Sequence, residues 1–238
     1  TVHSPGSVHH SETSMSLLIA IEGIDGSGKG TQASRLVERL DTDGISCSLL
    51  SFPRYSETLF GESIGKFLNG DFGPLEAVAP QLAATLYAGD RFESRGMLLE
   101  ALATQQVVVC DRYVPSNLAH QGSRVEDERQ SELIEWIETI EYDVFQLPRP
   151  DAVLWLDLPP QHSQKLIRLK APRDYTKRAV DLQEADLDYQ LGVHQVYRSL
   201  ASSRPHWIRI DGLDHRTREL RTIEEIAQEV YEAVSERI

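Results

Sequence analysis

The chain has 238 residues, 40% of them hydrophobic, enough for one domain with a full core or at most two small ones. Its formal net charge of −13 argues against a nucleic-acid or anionic-membrane binder, because such partners need basic faces, though an acidic body can still carry a local basic cleft for a small anion. No run of 18 apolar residues is present to span a membrane, and Cys47 and Cys110, each in an apolar strand-like run, read as buried thiols of a protein from a reducing, cytoplasmic compartment.

Residues 1–14 are polar, contain three histidines and have no apolar centre. They read as an added or disordered extension, not a secretory signal, so the folded domain is expected over 15–238. Leu17 to Ile21 is a short apolar run and predicts a buried strand. Behind a glycine-rich loop, Leu36, Val37 and Leu40 repeat at helical spacing, and Gly44 stops that helix. A second strand is predicted over 46–51 and a helix over 57–70, closing at Asn69-Gly70. One long Ala/Leu-rich helical stretch follows over 75–103, then a fully apolar strand over 107–110. Helical spacing returns over 125–142. The run at 152–156 predicts a strand, followed by helix, basic loop and helix to about residue 201. A last strand is predicted over 207–210 and a closing amphipathic helix over 217–238. Five short strands alternating with helices predict an α/β fold, three layers deep, with a parallel sheet whose ligands collect beyond the strands' carboxyl ends.

Gly23-Ile24-Asp25-Gly26-Ser27-Gly28-Lys29 lies between the first strand and the first helix, the context a phosphate-binding loop requires. Its glycines let backbone N–H groups turn inward on an anion, the helix N-terminus adds positive potential, and Lys29 can reach the β- and γ-phosphates. The usual pattern places Ser or Thr after the lysine. Here Gly30 stands there and Thr31 follows, so Thr31 or water is left to support Mg²⁺. Asp111-Arg112-Tyr113 directly follows the third strand. Taken alone the triplet would read as a surface salt bridge. Downstream of a phosphate loop, Asp111 becomes a candidate metal carboxylate and Arg112 a candidate for offsetting transition-state charge. Six basic residues crowd 165–178, among them Arg168 and Arg173, with Asp174 the one acid. Such a run can be a solvated helix face. The alternative is a lid over about 165–181 that closes on ATP and supplies a catalytic arginine.

Taken together, these segments resemble the thymidylate kinase family of P-loop nucleoside monophosphate kinases. The resemblance rests on Ile21–Thr31 (IEGIDGSGKGT), Phe52-Pro53-Arg54-Tyr55, Asp90-Arg91-Phe92-Glu93, Asp111–Gln121 (DRYVPSNLAHQ) and Asp181–Tyr189 (DLQEADLDY). It implies a P-loop NTPase fold with a helical lid, and Mg²⁺-dependent transfer of the ATP γ-phosphoryl group to dTMP. It also implies a homodimer, through helices on a sheet face that the 75–103 stretch could supply. Asp25 would meet the sugar 3′-hydroxyl or the magnesium shell, and Arg54 and Arg112 the acceptor phosphate. Tyr87 would stack on the thymine and Arg91 would bind its carbonyl edge. Asn117 and Gln121 would finish the base pocket, with Phe52 and Ser116 also among the substrate-binding residues. His120 stands where family members often carry Tyr, at the sugar's 2′ edge. Some members place the catalytic arginine in the phosphate loop and others in the lid. This loop holds none, so the lid is expected to supply it. Other readings stay open: Tyr87 as helix packing, Asn117 as a helix N-terminal cap, Arg54 as a surface residue. For the whole protein they are a kinase of another nucleoside monophosphate, or a nucleotide-binding regulator without turnover.

Overall fold

The computed structural model describes residues 16–167 and 187–238. The five predicted strands are present as β1 (Leu17–Glu22), β2 (Cys47–Ser51), β3 (Val107–Asp111), β4 (Ala152–Asp157) and β5 (Trp207–Asp211), all parallel in the order β2-β3-β1-β4-β5. Every residue of β4 is buried, as a central strand covered on both faces must be.

Alternation along β1 divides the core. Leu18 and Ala20 face one cluster with Cys110, Val153 and Trp155; Ile19 and Ile21 face the other with Val109, Leu154 and Ile210. Helices α1 (Lys29–Thr42) and α9 (Ile223–Ser235) close the second face through Leu36, Leu40, Val230 and Val234. The first face is closed by α4 (Arg95–Thr104), α5 (Val114–Gly122), α6 (Asp127–Glu138) and α8 (Leu187–Ser203). A smaller cluster joins α2 (Leu59–Asn69) to α3 (Pro80–Glu93) through Ile64, Phe67 and Ala83. Helix α7 (Pro160–Ile167) leads toward the basic segment. The expected three-layer α/β/α arrangement is therefore realised.

Three element boundaries differ from the sequence expectation. The stretch 75–103 is not one helix: a 3-10 turn (Leu75–Ala77) precedes α3, and Ser94 separates α3 from α4. Pro80 explains the first break, because it holds Ala79 extended and is itself suited to the first helical position. The last helix begins at Ile223 instead of 217, since Thr222 and Glu225 form a capping box that fixes its start. Beyond α6 the chain widens into a π-helical turn (Thr139–Val144), which turns Glu141 completely inward.

The register pairs Ile21 with Asp111, so the loop after β1 and the segment after β3 emerge side by side at the carboxyl edge of the sheet. The strand order reverses there, where ligands of open α/β sheets bind.

Candidate active site

The loop after β1 is built by backbone freedom. Gly23, Gly26 and Gly28 hold φ of 149°, 79° and 93°. A Cβ on Gly26 would stand 2.6 Å from the Ser163 carbonyl, so this position has neither the conformation nor the space for a side chain. The loop delivers Lys29 to the start of α1, buried, with Nζ donating to the Ile24 carbonyl at 2.7 Å. Burial, and then the nearby charge of Arg112, push the Lys29 ammonium down to about 7, against the opposing pull of Asp25, Asp111 and Glu22.

From the neighbouring strand, Arg112 reaches across the loop. Its Nη2 donates to Asp25 at 2.5 Å, and its Nη1 donates to Ser116 Oγ at 3.0 Å and to the Gly23 carbonyl at 3.4 Å. Arg112 holds φ at 66°, a left-handed backbone that a non-glycine residue adopts only when its surroundings over-determine it. Asp25 is also held by Gln190 Nε2 at 3.2 Å, from α8. Beneath this pair lies Glu22, fully buried, accepting from the Tyr113 amide (2.7 Å), the Ser116 amide (3.2 Å), Ser116 Oγ (2.6 Å) and Tyr197 (2.8 Å). Burial pushes its carboxyl up, while these donors and Arg112 pull it back.

These groups open onto a cavity of about 320 Å³, a size suited to one small ligand. Its walls carry Asp25, Gly26, Gly28, Lys29 and Gly30 from the loop, Asp111, Arg112 and Ser116 after β3, and Phe52, Tyr87, Arg91, Asn117, His120 and Gln121 farther in. Most of the expected substrate residues thus converge on one cavity. Ile24 contributes backbone only, since its side chain lies in the core. Gly23 and Ser27 shape the loop behind the wall, where Ser27 is buried and Ser27 N donates to Ile24 O at 3.2 Å.

Two residues stand apart. Arg54 is absent from the wall: its Nη2 binds Glu57 and its Nη1 lies 2.8 Å from Met97 Sδ. A carboxylate three residues away draws the guanidinium aside. Thr31 is exposed on α1 and outside the wall, two residues past the end of the loop. Asn117 is no cap either, because α5 starts at Val114 and Asn117 lies inside it. Arg168 and Arg173 fall outside the described residues.

At the cavity's inner end two amides have fixed orientations. Asn117 Nδ2 donates to the Ala84 carbonyl at 3.0 Å and to Glu141 Oε1 at 2.8 Å, so Oδ1 is the atom left buried and unpaired. Gln121 Oε1 accepts from Arg124 Nη1 at 2.8 Å, so Nε2 is left buried and unpaired. Arg124 is anchored in turn by the Leu75 carbonyl at 2.7 Å and the Val78 carbonyl. Buried polar atoms left without partners are costly, and a pair of them in one cavity marks where a ligand is to be met. His120 beside them is held neutral: burial, then Arg112, push it down to about 3. Its Nδ1 lies 2.9 Å from the Tyr189 hydroxyl.

Sequence reasoning missed Glu22, Glu141, Arg124, Gln190 and Tyr197. An acid ending a buried strand was a usable signal for Glu22. The others gave none, since their partners lie far away in the chain.

A glycine-rich turn that aims a buried lysine and a helix N-terminus into a cleft, with an aspartate and an arginine arriving from the adjacent parallel strand, defines a P-loop phosphotransferase. Comparison with known proteins narrows the class. Residues 21–223 match the family model described as thymidylate kinase. The thymidylate kinase of Mycobacterium tuberculosis (strain H37Rv) is 33% identical over 186 residues, covering 78% of this chain and 86% of that protein. That of Synechococcus sp. (strain JA-2-3B'a(2-13)) is 36% identical over 196 residues, 81% of this chain and 84% of its own. The solved thymidylate kinase of Candida albicans has the same fold, with a TM-score of 0.71 over 94% of this chain and 92% of its own, at 23% identity. The chain belongs to the thymidylate kinase family.

Proposed function

We propose that the protein transfers the γ-phosphoryl group of ATP to dTMP, giving dTDP and ADP. The observation that carries the choice of acceptor is the inner end of the cavity. There a buried amide oxygen of Asn117 and a buried amide nitrogen of Gln121 stand unpaired beside Arg91. A neutral pyrimidine with two carbonyls and a ring N–H offers the complementary set. Tyr87, half-buried in the same wall, supplies an aromatic face for the ring.

The acceptor phosphate is already anionic, so the chain need not provide a strong general base. Its work is positioning and charge neutralisation. Lys29 and Arg112 meet the phosphates, with the loop amides and the start of α1 around them. Asp25 holds Arg112 in place and would meet the sugar 3′-hydroxyl. His120, in the wall beside Arg112 and held from behind by Tyr189, would limit what the sugar carries at its 2′ edge. Arg54 would have to leave Glu57 to reach the acceptor phosphate.

Mg²⁺ fits this site. The ion would be held through one carboxylate, phosphates and water. Asp111 is that carboxylate. A Cβ on Gly30 would come 3.0 Å from its Oδ2, so the glycine makes room for Asp111. Gly30 therefore lends no support to a regulator that has lost turnover. When bound, Mg²⁺ would offset charge between the phosphates. The remaining positive charge at the transferring group falls to the basic segment, with Arg168 and Arg173 as the candidates.

A homodimer is proposed as well: the 75–103 stretch leaves Leu82, Phe92 and Leu99 exposed, three large apolar side chains that a second copy would cover. Among the described residues no helix is long and apolar enough to cross a membrane; a cytoplasmic location is proposed separately, from the sparse cysteines.

The direct test is ADP release dependent on both ATP and dTMP, measured for the wild type and for Lys29→Ala. Turnover in the variant should fall by about two or more orders of magnitude, as expected when a main transition-state charge is removed. Near-normal turnover would sink the mechanism.

A further inference from the structure

The cavity contains the groups that would read a base, but nothing on its wall explains why they point as they do. An arginine fork can rotate, and an asparagine amide can present either its oxygen or its nitrogen. The constraint comes from Glu141, in the π-helical turn after α6 and outside the cavity wall. Its side chain is fully buried, and all its described partners are base-pocket residues. Oε2 accepts from Arg91 Nε at 2.6 Å, and Oε1 accepts from Arg91 Nη2 at 2.6 Å and from Asn117 Nδ2 at 2.8 Å.

Two consequences follow. The bidentate grip takes the Nε/Nη2 edge of Arg91 and leaves Nη1, a donor, as the guanidinium corner not bound to Glu141. The third bond, together with the one to the Ala84 carbonyl, draws the nitrogen of Asn117 away and leaves its oxygen, an acceptor, unpaired. A pyrimidine with a 4-carbonyl and an N3–H fits a donor beside an acceptor. One with a 4-amino group and a bare N3 presents the reverse, and would set donor against donor and acceptor against acceptor.

Building on the dTMP reading above, we infer that Glu141 is the positioning residue that sets discrimination between 4-oxo and 4-amino pyrimidine nucleotides, by locking Arg91 and the Asn117 amide in one orientation. A single carboxylate acts on both halves of the recognition pair. Either oxygen of a carboxylate accepts, so Glu141 can satisfy three donors at once, whereas a glutamine of the same shape always turns one amine toward Arg91 or toward Asn117. If it turns toward Asn117, donor meets donor there and the Ala84 carbonyl alone holds the Asn117 amide, so its orientation is loosened.

The test is steady-state kinetics of the whole enzyme with dTMP and dCMP, comparing wild type, Glu141→Gln and Glu141→Asp. The shorter aspartate keeps the charge that Arg91 needs to stay buried but cannot span Arg91 and Asn117 together, so it serves if the glutamine variant does not fold. In either folded variant KM for dTMP should rise at least tenfold. In both, kcat and KM for ATP should change by less than about threefold, and the dTMP-to-dCMP ratio of kcat/KM should fall at least tenfold. A role confined to stability would lower the melting temperature and leave that ratio unchanged; an unchanged ratio in a folded variant overturns the inference. Loss of ATP affinity in parallel with dTMP affinity would overturn it too, since Glu141 would then act on the whole fold. Failure of the wild type to use dTMP would instead defeat the reading on which this rests.

Discussion

Lys29 donates to a neutral carbonyl while burial and Arg112 press on its charge, and this has a measurable consequence. With its ammonium near 7, most of the residue is neutral at about pH 8 and mostly charged at about pH 6. Bound phosphates favour the charged form and raise the pKa again, so nucleotide binding should draw in close to one proton at about pH 8 and clearly less at about pH 6. Calorimetry of ADP binding in buffers of different ionisation enthalpy reads this directly. The extra uptake at the higher pH should vanish in Lys29→Met, and equal uptake in both proteins would refute the assignment. His120 should contribute nothing to such profiles, because burial and Arg112 hold it near 3. At this scale the sequence disclosed most of the groups that line the cavity, since Gly23 to Lys29 and Asp111 to Gln121 are contiguous strings with a local mechanism. It was silent on the groups that orient them. Glu141 lies 50 residues from Arg91 and 24 from Asn117, and Gln190 lies 165 residues from Asp25. In the sequence Glu141 is one acid in an acidic helical run, and only folding turns it inward.

Among the elements, the loop after β1 and helix α9 make contrasting predictions. Gly26 has a left-handed backbone, and a Cβ there would press on Ser163 O and Ile167. Gly26→Ala should destabilise the fold by roughly 1–3 kcal/mol, the cost of a strained backbone residue, and weaken ATP binding more than tenfold. A variant with wild-type melting temperature and ATP affinity would contradict this account of the loop. Thr222 caps α9 far from the chemistry, accepting from Glu225 N at 3.2 Å while Glu225 returns a bond to Thr222 N at 2.8 Å. Thr222→Ala should cost about 1 kcal/mol in unfolding experiments and leave kcat/KM untouched. Both strand placement and helix α2 were readable: β4 is an unbroken apolar run, and Gly70 ends α2 at φ 85°. Apolar periodicity reads straight through Ser94 and stays silent at the π-helical turn, so the two breaks that shape the acceptor side were hidden.

For the molecule as a whole, the reversal of strand order beside β1 brings the glycine-rich loop and the cavity to one edge of the sheet. A chain of net charge −13 would meet two polyanions here because the cleft wall collects Lys29, Arg91 and Arg112 against only two acids, Asp25 and Asp111. Sedimentation equilibrium should report twice the 26.8 kDa chain mass, and Phe92→Glu should shift it toward monomer; a wild type that stays monomeric at high concentration would remove the proposed dimer. The central claim concerns the acceptor, and ADP release measured across dTMP, dUMP, dCMP, dGMP and AMP at fixed ATP tests it most directly. The account predicts that kcat/KM for dTMP exceeds that for dCMP, dGMP and AMP by well over tenfold, a margin of about 1.4 kcal/mol in transition-state binding. A preference below tenfold, or ADP release that ignores the acceptor, would contradict it.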